Sequence, residues 1–257
     1  MSPARYTAAS LERPALRNQD VITTLADFAI ITWAVDPAAL AAHLAPGFTP
    51  EVRTLDDGRQ VAFVSAVPFR DRDFRFGVAE WATFEMDQTN YRAYVWYEGR
   101  RVVWFFGTSL TGAAVVIPQQ LWKLPWHGAE IRFVTTWDGD TAVDYQMETE
   151  SEWAPARVHL VGTPVPMGRV DGFTDTEDTA VTLTHPLAGY FYRTDGRVGS
   201  YSVWHGRLDL RRAEVVTAEF DLLARLGLVA PGTPPHSALV LRETEFIVQL
   251  PPHVVTG

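Results

Sequence analysis

Residues 90–109 read NYRAYVWYEGRRVVWFFGTS. Two runs rich in Tyr, Trp, Phe and Val flank Glu98-Gly99-Arg100. Such residues favour a pleated, half-buried surface, and a short Gly-containing break between them signals a β-hairpin. Asn90, Arg92, Tyr94 and Trp96 share one face of the first run. Both faces carry apolar residues, so the hairpin is expected to be covered on two sides.

Further strands are expected on either side. Val21 to Val35 reads as a strand or a bent pair, and Gln60 to Phe69 as a strand apolar on both faces. Between them Asp36 should cap a short helix from Pro37 to Leu44, ended by Pro46-Gly47. After the hairpin, Ala113, Val116, Ile117, Gln120, Leu121 and Leu124 recur at helical spacing. Pro118 kinks or starts that helix and Pro125 ends it. Ala129 to Trp153 forms a second hairpin turning at Asp138-Gly139-Asp140. Gly162 to Gly172 reads as a loop, Asp175 to Thr184 as a short helix, and Tyr201 to Leu210 as a strand. Thr217 to Leu226 reads as a helix and Ala238 to Leu250 as the last strand. Many strands without βαβ alternation predict an α+β, mainly antiparallel fold. The expected organisation is an arm over residues 1–20 and one domain over 21–257.

Composition bounds the function. The 257 residues are 47% hydrophobic and 21% charged, an ordinary globular profile. Zero cysteines exclude disulfides, thiolate nucleophiles and cysteine metal sites. A net charge of −9 disfavours a nucleic-acid groove. No run of about 18 apolar residues suits a membrane span, and the charged first thirty residues do not suit a signal peptide. The cytoplasm, a small-molecule substrate, and neither a nucleic-acid nor a membrane partner are therefore expected, with a homo-oligomer compatible. No glycine-rich phosphate loop, HExxH pair or GxSxG elbow is present, so neither a cofactor nor a metal is expected.

Among the 22 basic residues Lys123 is the single lysine. It lies in Gln119-Gln120-Leu121-Trp122-Lys123-Leu124-Pro125-Trp126-His127, where polar groups sit beside aromatic walls. An amine in an apolar setting could attack a carbonyl, and a solvated helix-end lysine is the commoner case. His127 could shuttle protons near neutral pH or serve as a structural hydrogen-bonding group. Arg92, on a strand apolar on both sides, needs a partner if buried. That partner is either a substrate carboxylate or one of Glu85, Asp87 and Glu245. His205 is a second proton-transfer candidate. Glu243 and Glu245 interrupt an apolar run and hint at a buried acid or an edge. Glu148, Glu150 and Glu152 could bind a cation, and a strand's solvent face is the commoner reading of such a stripe.

Several ordered segments resemble the DUF2071 branch of the acetoacetate decarboxylase-like superfamily, over roughly residues 25–252. They are Ile31 to Pro37 through Ala45-Pro46-Gly47, Val64 to Arg70, Asn90 to Val95, Trp104-Phe105-Phe106, Trp122 to His127, and His185-Pro186-Leu187. Ala188 stands where the family usually has an acid. The resemblance implies a curved antiparallel sheet or barrel around a cavity, with a few short peripheral helices. In the decarboxylases the turn after the helix carries a lysine pair, of which the first forms a Schiff base. Here Pro125 matches the proline of that turn, and Trp126 and His127 occupy the lysine positions. Lys123 lies on the other side of Pro125.

Three functional readings follow. The first is a cofactor-free lyase, isomerase or cyclase on a small oxygenated carbonyl compound of specialised metabolism: decarboxylation, dehydration or cyclisation of a keto or polyketide-like substrate. Arg92 would bind an acidic or enolic oxygen, and His127, His205 or Lys123 would complete the chemistry. Asn90, Tyr94, Trp104, Phe106, Gln120, Trp122, Trp126 and Glu245 would line the pocket. The second is a non-catalytic binding or sensing protein with the same cavity. The third, a structural subunit, predicts a filled barrel and an exposed apolar patch.

Overall fold

The computed structural model describes residues 3–79, 81–112 and 116–255. Seven strands form a closed ring: β1 (Val21–Val35), β4 (Gln60–Phe76), β5 (Phe84–Tyr97), β6 (Arg100–Leu110), β11 (Ala188–Tyr192), β12 (Val198–His205) and β14 (Ser237–Val254). β14 returns to pair with β1, which closes the barrel. Every pair in the ring is antiparallel except β6 with β11. β14 also pairs with β13 (Arg211–Phe220) and so leads into an outer sheet. That sheet continues through β10 (Ala156–Pro166), β9 (Thr141–Glu150) and β8 (Glu130–Asp138). Short strands β2 (Phe48–Pro50), β3 (Arg53–Thr54) and β7 (Trp126–Gly128) add to β5, β4 and β6.

The outer sheet explains why β1, β4 and β5 are apolar on both faces. Ile31, Trp33, Val64, Ala66, Tyr91 and Ala93 point outward from the barrel and share a core with Phe133, Tyr145, Met147, Val158 and Phe220. The opposite faces carry Phe28, Ile30, Phe63, Val67, Phe69 and Tyr94, which surround the helix α4 (Thr176–Thr184). Every residue from Asp178 to Thr184 is buried, so α4 plugs one end of the barrel. Its residues suit this place: they are small, and Thr179 and Thr184 turn their hydroxyls back to the carbonyls of Asp175 and Ala180. Asp175 accepts from the Asp178 amide and caps the helix.

The expected helix over 113–124 is α3 (Val116–Trp122), and 113–115 fall outside the described residues. Val21 to Val35 is one strand, bent where Asp27 takes φ +48°. The hairpin turn has positive φ at Glu98 (+49°) and Gly99 (+74°), as a tight two-residue turn matching strand twist requires. The helix capped by Asp36 is α2 (Pro37–Ala41). The strand expected over Tyr201 to Leu210 ends at His205, and two further expectations fail. The Pro/Gly-rich stretch from Gly162 to Pro166 continues strand β10 rather than forming a loop. Thr217 to Phe220 ends strand β13, and only α5 (Asp221–Arg225) is helical, because β10 supplies a pairing edge up to Ala156↔Phe220. The expected N-terminal arm contains α1 (Ala8–Leu11) and is docked: the buried Ala4 donates its amide to Asp178. No helix among the described residues is long and apolar enough to cross a membrane.

Candidate functional site

The barrel interior beyond the C-terminal end of α4 is the candidate site. One local irregularity sets its lining. Asn90 pairs with Thr108, but Arg92 pairs with Phe105, because β6 carries a bulge between them. Gly107 lies there at φ +153°, and a Cβ on it would come within 2.7 Å of the Trp153 ring. The bulge reverses the alternation, so Thr108, Phe105 and Val103 face inward. Trp104 and Phe106, expected as walls by simple alternation, face outward instead. Trp104 packs on Phe48 and Tyr192, and Phe106 meets His43.

The same register decides the turn after α3. β7 runs parallel to β6 with Thr108↔Trp126 and Ser109↔His127. Trp126 therefore points inward, towards Met86 and Leu110. His127 points outward and stacks on Trp153, with ring centroids 3.8 Å apart. Burial lowers the basicity of its imidazole. The expected shared space of Arg92 and His127 is thus corrected: the barrel wall separates them. Gln120 is exposed on α3, and Trp122 and Lys123 are half-buried. Lys123 ends the helix with φ +56°, and its carbonyl accepts from the Thr194 amide. Glu245 lies on the outer face, 2.9 Å from Arg13.

Arg92 lies inside. Its Nη2 donates to the carbonyl of Leu183, 2.8 Å away, at the end of α4. Its Nε is buried with no hydrogen-bond partner among the described residues. No ion pair holds Arg92 among the described residues, since the three acids that could have done so are taken. Glu85 pairs with Arg72, Asp87 with Arg70 and Glu245 with Arg13. Beside Arg92, Thr108 donates to Asn90 Oδ1 at 2.7 Å, and the Asn90 amide nitrogen has no partner among the described residues. Tyr94 is buried and bridges Ser65 to the Leu183 carbonyl.

Two residues not singled out from the sequence complete the interior. Tyr201 stacks on Phe105 with centroids 5.6 Å apart and planes at 16°. Burial raises its phenol above the ordinary range, with Arg92 opposing weakly, yet part of its surface stays uncovered. Asn90, Arg92, Phe105, Trp126 and Val203 point to the same interior and are likewise only partly covered. Asp71 extends the inward stripe Val67, Phe69 of β4. It accepts from Thr23 and Gln88, and burial pushes its carboxyl up to about 7. Continuing the strand two residues past Phe69 would have exposed it.

His205 is fully buried, stacked on Phe246, with Nδ1 2.7 Å from the Gly206 carbonyl and Nε2 2.7 Å from the Thr184 carbonyl. Burial pushes it down to about 4, while both carbonyls pull the other way. Only an imidazolium donates to both oxygens. In either state the ring joins β12 to α4 and opens no surface to the interior. Among the described residues no cluster of three His, Asp or Glu side chains able to hold a metal is present.

No curated protein matches the chain. Several solved structures share its fold, among them the following three. The enduracididine biosynthesis enzyme MppR complexed with pyruvate is 12% identical, covers 100% of this chain and 99% of its own, and superposes with TM-score 0.62. An acetoacetate decarboxylase-like enzyme from Sphingomonas wittichii RW1 is 12% identical over 99% of this chain and 100% of its own, with TM-score 0.61. Acetoacetate decarboxylase from Legionella pneumophila subsp. pneumophila str. Philadelphia 1 is 13% identical over 96% and 94%, with TM-score 0.57. Residues 23–244 match the sequence profile of DUF2071, described as "Uncharacterized conserved protein (COG2071)". With that match over most of its length, and with a fold shared with acetoacetate decarboxylase-like structures, the chain belongs to the DUF2071 family.

Proposed function

We propose that this chain is a small-molecule enzyme of lyase, isomerase or cyclase type. It acts on a small oxo acid inside the barrel, without a cofactor and without a Schiff-base lysine. The carrying observation is Arg92: a guanidinium inside a barrel, held by one helix carbonyl and by no carboxylate among the described residues. Guanidinium matches a carboxylate or enolate in a two-pronged fork. Inside a low-dielectric site such a fixed charge stabilises developing negative charge more strongly than it would in water. Asn90 adds a donor oriented by Thr108. Tyr201 keeps its proton through the neutral range because burial raises its phenol, so it too donates. MppR, which shares the fold, was observed with pyruvate, itself a small oxo acid. Trp126 fills the inward position that matches the first decarboxylase lysine, so the turn supplies an aromatic wall there and no amine.

One observation favours the second reading, a binding or sensing protein. His127 lies outside the barrel, and both His205 nitrogens are engaged. Asp71 is the remaining inward acid, and it is covered by Thr23 and Gln88.

The deciding experiment incubates the protein with 2-oxo and 3-oxo acids and follows consumption and proton exchange by NMR, for wild type and Arg92→Gln. Turnover that disappears in the variant supports the enzyme. Binding without any chemical change supports the sensor. A borohydride-trapped adduct that is lost in Lys123→Ala would overturn the lysine-free route.

A further inference from the structure

We infer that the barrel interior beside Arg92 selects a monocarboxylate whose body is planar and apolar, over small, doubly charged or cationic acids. The inference rests on Arg92 as the acid anchor and adds what lies beside it. The cross-strand partner of Arg92 is Phe105, whose ring lies nearly parallel to Tyr201. Two glycines make that flat wall. A Cβ on Gly189 would stand 2.4 Å from the Phe105 ring, and one on Gly199 would stand 2.8 Å from Phe191, which backs Tyr201. A side chain at either position would lift a ring off the wall.

The polar groups that face the same interior are donors: Arg92, the Asn90 amide nitrogen and the Tyr201 hydroxyl. A carboxylate set against Arg92 therefore leaves its attached planar body lying on Phe105 and Tyr201. A second acid group would find no second free cation among the described inward residues. A cationic ligand would face Arg92. Offset stacking of a planar group on an aromatic wall adds to simple burial, so the planar body contributes selectivity that pyruvate cannot exploit.

The test titrates the full chain calorimetrically with phenylpyruvate, pyruvate and 2-oxoglutarate. Phenylpyruvate is expected to bind at least tenfold tighter than pyruvate, and 2-oxoglutarate more weakly than pyruvate. Arg92→Gln should weaken both monoanions at least tenfold. Phe105→Leu should cut the advantage of phenylpyruvate over pyruvate below threefold. If that variant does not fold, Tyr201→Leu serves the same purpose, while Tyr201→Phe should retain the advantage. Equal or tighter binding of pyruvate or 2-oxoglutarate, an advantage that survives the loss of the wall rings, or no binding of any probe each overturns the inference. The expected ranking without turnover sinks the enzyme reading alone. Turnover of pyruvate without the ranking sinks this inference alone.

Discussion

Replacing Asp71 by Asn should make the protein's stability less sensitive to pH, in a direction fixed by burial. The Asp71 carboxyl titrates at about 7 in the fold, against 3.8 in the open chain, chiefly because it is buried. A folded-state value above the unfolded one means that the folded chain binds the extra proton. The associated stability is complete below about pH 4 and is lost as pH rises towards 7, after which the curve is flat. At about 1.4 kcal/mol per unit, the full cost of ionising Asp71 in place is on the order of 4 kcal/mol, of which roughly 3 kcal/mol falls between pH 5 and pH 8. The Asp71→Asn side chain keeps the shape of the original, and a turn of the Gln88 amide lets it accept from the new NH2. Urea unfolding of wild type and Asp71→Asn at pH 5 and pH 8 gives the difference directly, since every other group titrates in both proteins. The variant should gain on wild type by roughly 3 kcal/mol over that interval. A gap that stays constant within about 0.5 kcal/mol would refute the placement of Asp71 as a buried, unpaired acid.

Gly189→Ala should cost about 1–3 kcal/mol by driving a methyl into Phe105, and most of that cost should vanish in the Phe105→Ala background when both are measured by denaturant unfolding. Asp178→Asn should lower stability by about 3–5 kcal/mol, read as a fall in melting temperature. Asp178 is fully buried at 2.9 Å from Arg53, which in turn holds the buried Glu51. His127→Ala should leave oxo-acid affinity unchanged within twofold, because its ring stacks on Trp153 outside the barrel; a calorimetric titration that shows a larger loss would bring His127 back to the site.

The barrel was legible where local chemistry and long-range pairing agree. The run 90–109 announces its own hairpin, and the double-sided apolar pattern of Val61 to Phe69 anticipates the sheet on one side and the plug on the other. The details of the site were less legible, because they depend on register. Trp104 and Phe106 alternate with Thr108 in the sequence, and only the bulge at Gly107 shows that they face away. His127 and Trp126 exchange faces according to a parallel pairing with residues 108 and 109, which no local pattern records. The strand Ala188–Tyr192 is short and contains the glycine that its neighbour's ring needs, so no local pattern marks it. Arg92 was visible as an oddity among aromatic residues. The use of its candidate acid partners by three other arginines became visible only in three dimensions.

The two sides of the barrel wall divide the work between them. The outward faces of β1, β4 and β5 meet the outer sheet in a continuous apolar core, with Tyr91, Tyr145 and Trp33 almost wholly covered. At one end, α4 fills the inside and anchors itself through Asp178 and Arg53. Burial on the outer side and at the plug stabilises the strands, so the remaining inward positions need not pack. They can carry an unpaired guanidinium, a free amide nitrogen and a phenol without loss of the fold. An interior charge without a partner is expensive in an ordinary core. Here the helix carbonyl at Leu183 offsets part of that cost, since the C-terminal end of a helix favours positive charge. What remains is a site that gains stability when an anion arrives. Occupancy by a carboxylate should therefore raise the melting temperature of the wild type and leave that of Arg92→Gln unmoved.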